Sequence, residues 1–176
     1  MIPSDLAASM SREASRIEED CTHSAKGHFE AARIWGWCNI GLGLPAVVLG
    51  AVAGVSALKA MPILAGVLAI LGSALTAALT FLKPSDRVSG HHMAGTRFNS
   101  LKNRTRFFHE VELPQETDPK RLTRALRTLA KERDELNQLS PEIPRPAFVR
   151  ARRGILTGES SYAVDHPEPA AVREPS

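Results

Sequence analysis

Few residues in this chain can do chemistry in its apolar middle. Asn39, Ser73, Thr76 and Thr80 are polar positions in a stretch where Lys59 is the one charge between residues 34 and 82. Ser73, Thr76, Thr80 and Lys83 follow steps of three and four, so they share one helix face. A row of hydroxyls on one face can line an aqueous path. Such hydroxyls can equally bond back to their own backbone and act as small packing residues. No Asp or Glu falls in this stretch. That argues against a proton relay or an ion-coupled transport site, which uses an intramembrane carboxylate.

The histidines and cysteines make poor metal sets. Cys21, His23 and His28 lie two and seven residues apart on one predicted helix, and residues two apart do not share a face. His109-Glu110 begins like a zinc-protease helix, but position 113 is Leu where a second histidine would be needed. His91 and His92 are adjacent and point apart. His28 and one of these two are expected to face each other just inside the apolar runs, as a structural or pH-responsive contact. No nucleophile sits beside a base, and no Gly-rich phosphate loop or dinucleotide fingerprint occurs. No metal, cofactor or catalytic residue is expected. Cys21 and Cys38 are too few for a disulfide framework and should be free.

The elements that position these residues follow from charge. The chain has 176 residues, 43% hydrophobic and 23% charged, with mean hydropathy −0.14. Those averages hide two uncharged runs, 34–58 and 60–82. As helices they reach roughly 37 Å and 35 Å, enough to cross a bilayer core about 30 Å thick. Pro45 is expected to bend the first span, whereas Pro62 suits the first turn of the second. The alternative is a buried hairpin of a soluble protein, but the rest of the chain has too few apolar residues to cover it. A signal peptide is not expected, because the first run starts late and a second follows.

The expected fold is an all-α membrane protein. A transmembrane hairpin (34–58 and 61–82) joins a cytoplasmic bundle of the N-terminal helix (1–33) and two C-terminal helices (83–140). Seventeen of the 22 Lys and Arg follow Leu82, and the connector holds only Lys59. Both termini are therefore expected in the cytoplasm. Arg33, Trp35, Trp37, Lys59, Phe81 and Lys83 would be interfacial anchors. Ala46, Gly50 and Gly54 in the first span, and Ala65, Ala69, Ser73 and Ala77 in the second, recur every four residues. Small residues at that spacing let helices approach closely, within the hairpin or between protomers.

Outside the spans, Met10, Ala14, Ile17, Cys21, Ser24 and His28 make one seam, after a start that Ser4 and Asp5 could cap. Phe98, Leu101, Thr105 and Phe108 make a second seam on a helix over 86 to 112, ended by Pro114. Asp118 should cap a third helix, with Leu122, Leu126, Leu129, Leu136 and Leu139 on one face. The remainder, 141–176, holds six prolines without periodicity and reads as a disordered tail. Arg150, Arg152 and Arg153 there are either solvated or touch anionic lipid.

This layout resembles the SLATT domain, the two-transmembrane effector module of bacterial conflict systems. The resemblance spans residues 10 to 140. It rests on the charged helix Ser11-Arg12-Glu13 through Ala31-Ala32-Arg33, the hairpin from Ile34 to Leu82 with its minimal connector, and the helix His91-His92-Met93-Ala94-Gly95 through Phe98-Asn99-Ser100-Leu101. It implies an effector, not an enzyme: a homo-oligomer that perforates the bacterial inner membrane in an antiviral, growth-arresting response. It also implies a nucleotide-producing or nucleotide-sensing partner protein, with no direct nucleic-acid binding. No nucleotidyltransferase or sensor domain accompanies the hairpin here, so the trigger is expected to come from elsewhere or to act on 1–33 and 84–140. An anchor that recruits a partner through the leucine face of 118–139 is the rival reading. A holin-like or small transport protein is a third, weakened by the large helical cytoplasmic share.

Overall fold

The computed structural model describes residues 3–160, which form helices joined by short turns. The elements are α1 (Ser4–Leu58), α2 (Pro62–Leu82), α3 (Pro84–Phe107), a π-helical turn (Phe108–Glu112), α4 (Leu113–Gln115), α5 (Pro119–Leu139) and α6 (Arg145–Leu156). Among the described residues there is no strand.

α1 carries two environments on one unbroken helix. Its first half presents Met10, Ala14, Ile17, Cys21 and Ala25 to a core completed by Phe98, Leu101, Phe108, Leu113, Leu122, Leu129 and Leu136. The two expected seams thus meet; of the first, only Ser24 is not buried. Thr105 is fully buried but satisfied, since its Oγ1 donates to Leu101 O at 2.9 Å. Beyond Arg33 the same helix runs on through Pro45 to Leu58, leaving the bundle behind. Its start differs from expectation: Pro3 is the N-cap, and Ser4 and Asp5 already lie in the first turn without a side-chain cap.

α1 turns into α2 within three residues. Ala60 N–H donates to Ala57 O and Met61 N–H to Ser56 O, the paired bonds that close a helix around a left-handed residue. Ala60 supplies that residue, with φ 57°, where glycine is the usual choice. Pro62 then opens α2 at its first turn, as expected.

The two helices pack along a narrow line. A Cβ on Gly72 would lie 3.4 Å from Ala46 O, 3.5 Å from Leu49 Cβ and 3.6 Å from Gly50 N. Ala53 and Ser56 are buried nearer the turn. Most other apolar side chains of the pair face outward: only 17% of the apolar window in α1 and 6% of that in α2 is buried. A core hairpin of a soluble protein would be mostly covered. These two helices are long and apolar enough to cross a membrane, and most of their apolar surface is uncovered.

Two elements differ from the sequence-based expectation. Pro114 does not end its helix directly; the chain widens into the π turn, with Leu113 N–H donating to Phe108 O, and stops after Gln115. Proline has no N–H and its ring crowds the carbonyl four residues back, so a widened turn before it relieves that crowding. The second difference is a correction: the segment from Pro141 is not a disordered tail as far as it is described. Arg145–Leu156 is helical, and Ala147, Ala151 and Gly154 are buried. Small residues at steps of four and three give α6 a flat face against α1, so it needs no long apolar periodicity. Residues 161–176 of the expected tail lie outside the described residues.

Gly72 and Gly54 separate the packed line from the free surface. Gly72→Leu should push the hairpin apart at a cost of about 1–3 kcal/mol from overpacking. Gly54→Leu, where a Cβ meets nothing within 4 Å, should be silent within one chain. Disulfide formation between cysteines introduced at Gly43 and Leu79, where a Cβ on Gly43 lies 3.7 Å from Leu79 Cδ1, would report both, slowing in the first variant only.

Candidate functional site

Where the bundle meets the hairpin, polar groups that are rare elsewhere in the apolar region come together. His28, six residues before the first apolar run, lies on the buried face of α1. His91 lies on the buried face of α3, eight residues beyond Lys83. Their Nδ1 atoms are 3.0 Å apart, as the sequence led one to expect for His28 and one of the two adjacent histidines. One ring donates and the other accepts, so at least one is neutral. Phe98 stacks on His28 at 5.6 Å between ring centroids. His92 points elsewhere and meets Phe29 edge-on. That Phe29 ring in turn occupies the space of a side chain at Gly95, where a Cβ would lie 3.0 Å from it.

Burial is the main force on the pair's protonation. It pushes His28 down to about 4, with His91 adding to the shift. It lowers His91 as well, helped by the Arg87 cation. Both rings are therefore neutral at pH 7. Cys21, deeper in the bundle, is pushed up to about 12 by burial, so its thiol stays protonated and inert. Among the described residues no group of three or more His, Cys, Asp or Glu stands close enough to hold a metal.

The layer above the histidines carries the expected interfacial residues. Arg87 stacks over Trp35 at 4.5 Å, and its Nε donates to Leu82 O at 3.0 Å, closing the end of α2. Lys83 adopts the left-handed conformation, φ 46°, between α2 and α3. A non-glycine residue there costs on the order of 1 kcal/mol. Pro84 requires the break, because it cannot continue the hydrogen-bond ladder. Ser85 Oγ donates to Asn39 Oδ1 across the junction at 3.4 Å. Arg33 pairs with Glu30 of its own helix at 2.6 Å. Trp37 and Phe81 are exposed, and Lys59 lies at the far turn.

The remaining singled-out residues divide by face. Asn39 faces the junction, half-buried, and not a shared polar row. Ser73, Thr76 and Thr80 lie on the exposed side of α2. Thr76 Oγ1 donates to Gly72 O and Thr80 Oγ1 to Thr76 O, each at 3.0 Å. Ala46 and Gly50 touch α2 at Gly72, while Gly54 touches nothing across the hairpin. Ala65 is half-buried, whereas Ala69 and Ala77 are exposed. The contact line of α2 thus runs through Ala65, Leu68, Gly72, Leu75 and Leu79. It is offset by one residue from the small-residue stripe that includes Ser73. The alternation of leucines with Gly72 was the available signal.

No family model, curated protein or solved structure matches this chain. Function is therefore read from the geometry. One reading based on α5 changes: Leu122, Leu129 and Leu136 are buried in the bundle, and of that face only Leu139 stands fully exposed. The leucine face is occupied by the chain's own core.

A neutral buried pair makes stability depend on pH with a definite sign. Both histidines have folded values below the ordinary 6.5, so between about 4 and 6.5 the unfolded chain binds more protons. Their contribution is fully present above 6.5 and is lost as pH falls through that window. Glu18, raised by burial, acts in the opposite direction. Melting of the detergent-solubilised protein should move to lower temperature from pH 7 to pH 5. His91→Gln should flatten that slope; an unchanged slope would mean the pair titrates as it does in the unfolded chain.

Proposed function

We propose that the chain is a membrane effector of the SLATT type. It inserts the α1–α2 hairpin into a bacterial inner membrane with the helical bundle and both termini in the cytoplasm. Several copies assemble, and their α2 helices together enclose an aqueous path. Depolarisation then arrests or kills the cell, in a response triggered by another component such as a nucleotide-producing or nucleotide-sensing protein.

The observation that carries this reading is the free face of α2. Ser73 and Thr76 point away from α1, among exposed apolar residues such as Ile70 and Val67. One hairpin cannot enclose a path, so a polar strip on its outer face is useful only beside other copies. Exposed Ala69, Ala77 and Gly54 leave small surfaces for those copies to approach. Back-bonding of Thr76 and Thr80 satisfies each hydroxyl proton in lipid and leaves the oxygen able to accept from water. The charge placement supports the orientation: the bundle end carries the Lys and Arg excess, and the far turn only Lys59.

Inducible expression in bacteria, followed with a voltage-sensitive dye, tests this. Prompt depolarisation before loss of viability is the expected outcome, alone or with the triggering partner. Replacing Ser73 and Thr76 together by Leu should bring leakage to background while leaving membrane level and assembly unchanged. Full leakage from that double variant would remove these residues from the path.

A further inference from the structure

The anchoring layer encloses more than contacts between helices. Between the end of the hairpin and the start of α6 lies a cavity of about 650 Å³. Trp35 and Phe81 form its apolar wall, and Lys83, Arg87 and Arg145 bring three cations to it. Asp86 and Glu142 also line it, so its own charge is only slightly positive. α6 changes that balance. The helix holds Arg145, Arg150, Arg152 and Arg153 and no acidic residue.

α6 also lies in a telling place. Ile143, just before it, packs where a Cβ of Gly27 would be, at 2.9 Å. Glu159, just after it, pairs with Lys26 at 2.7 Å. Two points about one helix length apart in sequence thus meet adjacent residues of α1. The helix is therefore tied to α1 on both sides of its length. Gly27 is eight residues below Trp35, about 12 Å along the axis, and Arg145 at the start of α6 lines the same cavity as Trp35. The buried face of α6 is Ala147, Ala151 and Gly154; Phe148, Val149 and Leu156 remain exposed beside the arginines. Arginines interleaved with exposed apolar residues are the surface of a helix that rests in a bilayer interface.

We propose that this junction binds the headgroup of an anionic phospholipid of the leaflet next to the bundle. Lys83, Arg87 and Arg145 hold the phosphate, and the arginines of α6 draw the negative surface to it. The proposal rests on the reading that the hairpin is inserted. A lipid suits the cavity better than a soluble phosphate, because one wall continues into the apolar surface of α2. Phe81, 87% exposed, stands at that exit, where acyl chains would lie. Arg87 is fixed for its task by the Trp35 ring and the Leu82 carbonyl.

Trp35 is a built-in probe. The chain has two tryptophans, so Trp37→Phe leaves Trp35 alone at the cavity wall. The full-length variant would be reconstituted in phosphatidylcholine vesicles containing a small fraction of brominated phosphatidylglycerol or brominated phosphatidylcholine. Trp35 should be quenched by the anionic lipid at a clearly lower mole fraction. Lys83→Gln and Arg145→Gln should each reduce that preference by about fivefold, the worth of one cation near an anionic surface. Quenching by phosphatidylcholine and helical content should stay unchanged, which separates lost binding from misfolding. Equal quenching by both lipids would overturn the lipid site and leave insertion standing. No quenching by either would overturn insertion and the site together. Reversal by millimolar inorganic phosphate would show a soluble-anion site and overturn the lipid assignment.

Discussion

A 55-residue helix that belongs to a bundle at one end and to an uncovered apolar hairpin at the other sets terms for everything around it. Apart from Pro45, which offers no N–H to Gly41 O, the helical backbone of α1 supplies its own hydrogen-bond partners, as entry into lipid would require. Because no turn separates its two environments, they differ only in which neighbours cover the side chains. α3, α5 and α6 cover the first half; α2 covers one narrow line of the second. The orientation of the bundle on the hairpin is therefore fixed by helical phase. Met10, Ile17 and Cys21 determine where Ala46, Gly50 and Ala53 point.

Much of this was legible in the sequence, because charge and helical period act locally. Lys59, alone between two uncharged runs, marked the hairpin turn. Asp118 before Pro119 marked the start of α5, and its side chain does accept from Lys120 N–H at 2.9 Å. The seams from Met10 and from Phe98 were readable from spacing. What was not readable depends on contacts between distant parts. α6 binds through Ala147, Ala151 and Gly154, and small residues leave no hydropathy signal. The line of α2 against α1 passes through Gly72 and not Ser73, a difference of about 100° in helical phase that spacing alone does not resolve. Ala60 and Lys83 adopt left-handed conformations that glycine would have announced.

The junction combines two opposite ways of managing charge. Below it, burial strips His28 and His91 of their protons and leaves a neutral hydrogen bond tying α1 to α3. Just above, the cations Lys83 and Arg87 stand at the boundary where α2 ends. The neutral layer lets the two chain segments pack tightly as they approach the apolar region, without desolvating an ion. The charged layer marks where the apolar surface of the hairpin ends. α6 spans the flank of α1 beside this boundary and adds a third element to what would otherwise be a two-helix neck.

The break at Lys83 has a mechanical meaning. α1 carries its bundle half and its hairpin half on one continuous helix, so the two share a helical phase. The other helix of the hairpin meets the bundle through a single left-handed residue, Lys83, between α2 and α3. That joint is held by Arg87, which clasps Leu82 O and stacks on Trp35. One side chain thus fastens α1, α2 and α3 together where no helix continues from α2 into α3.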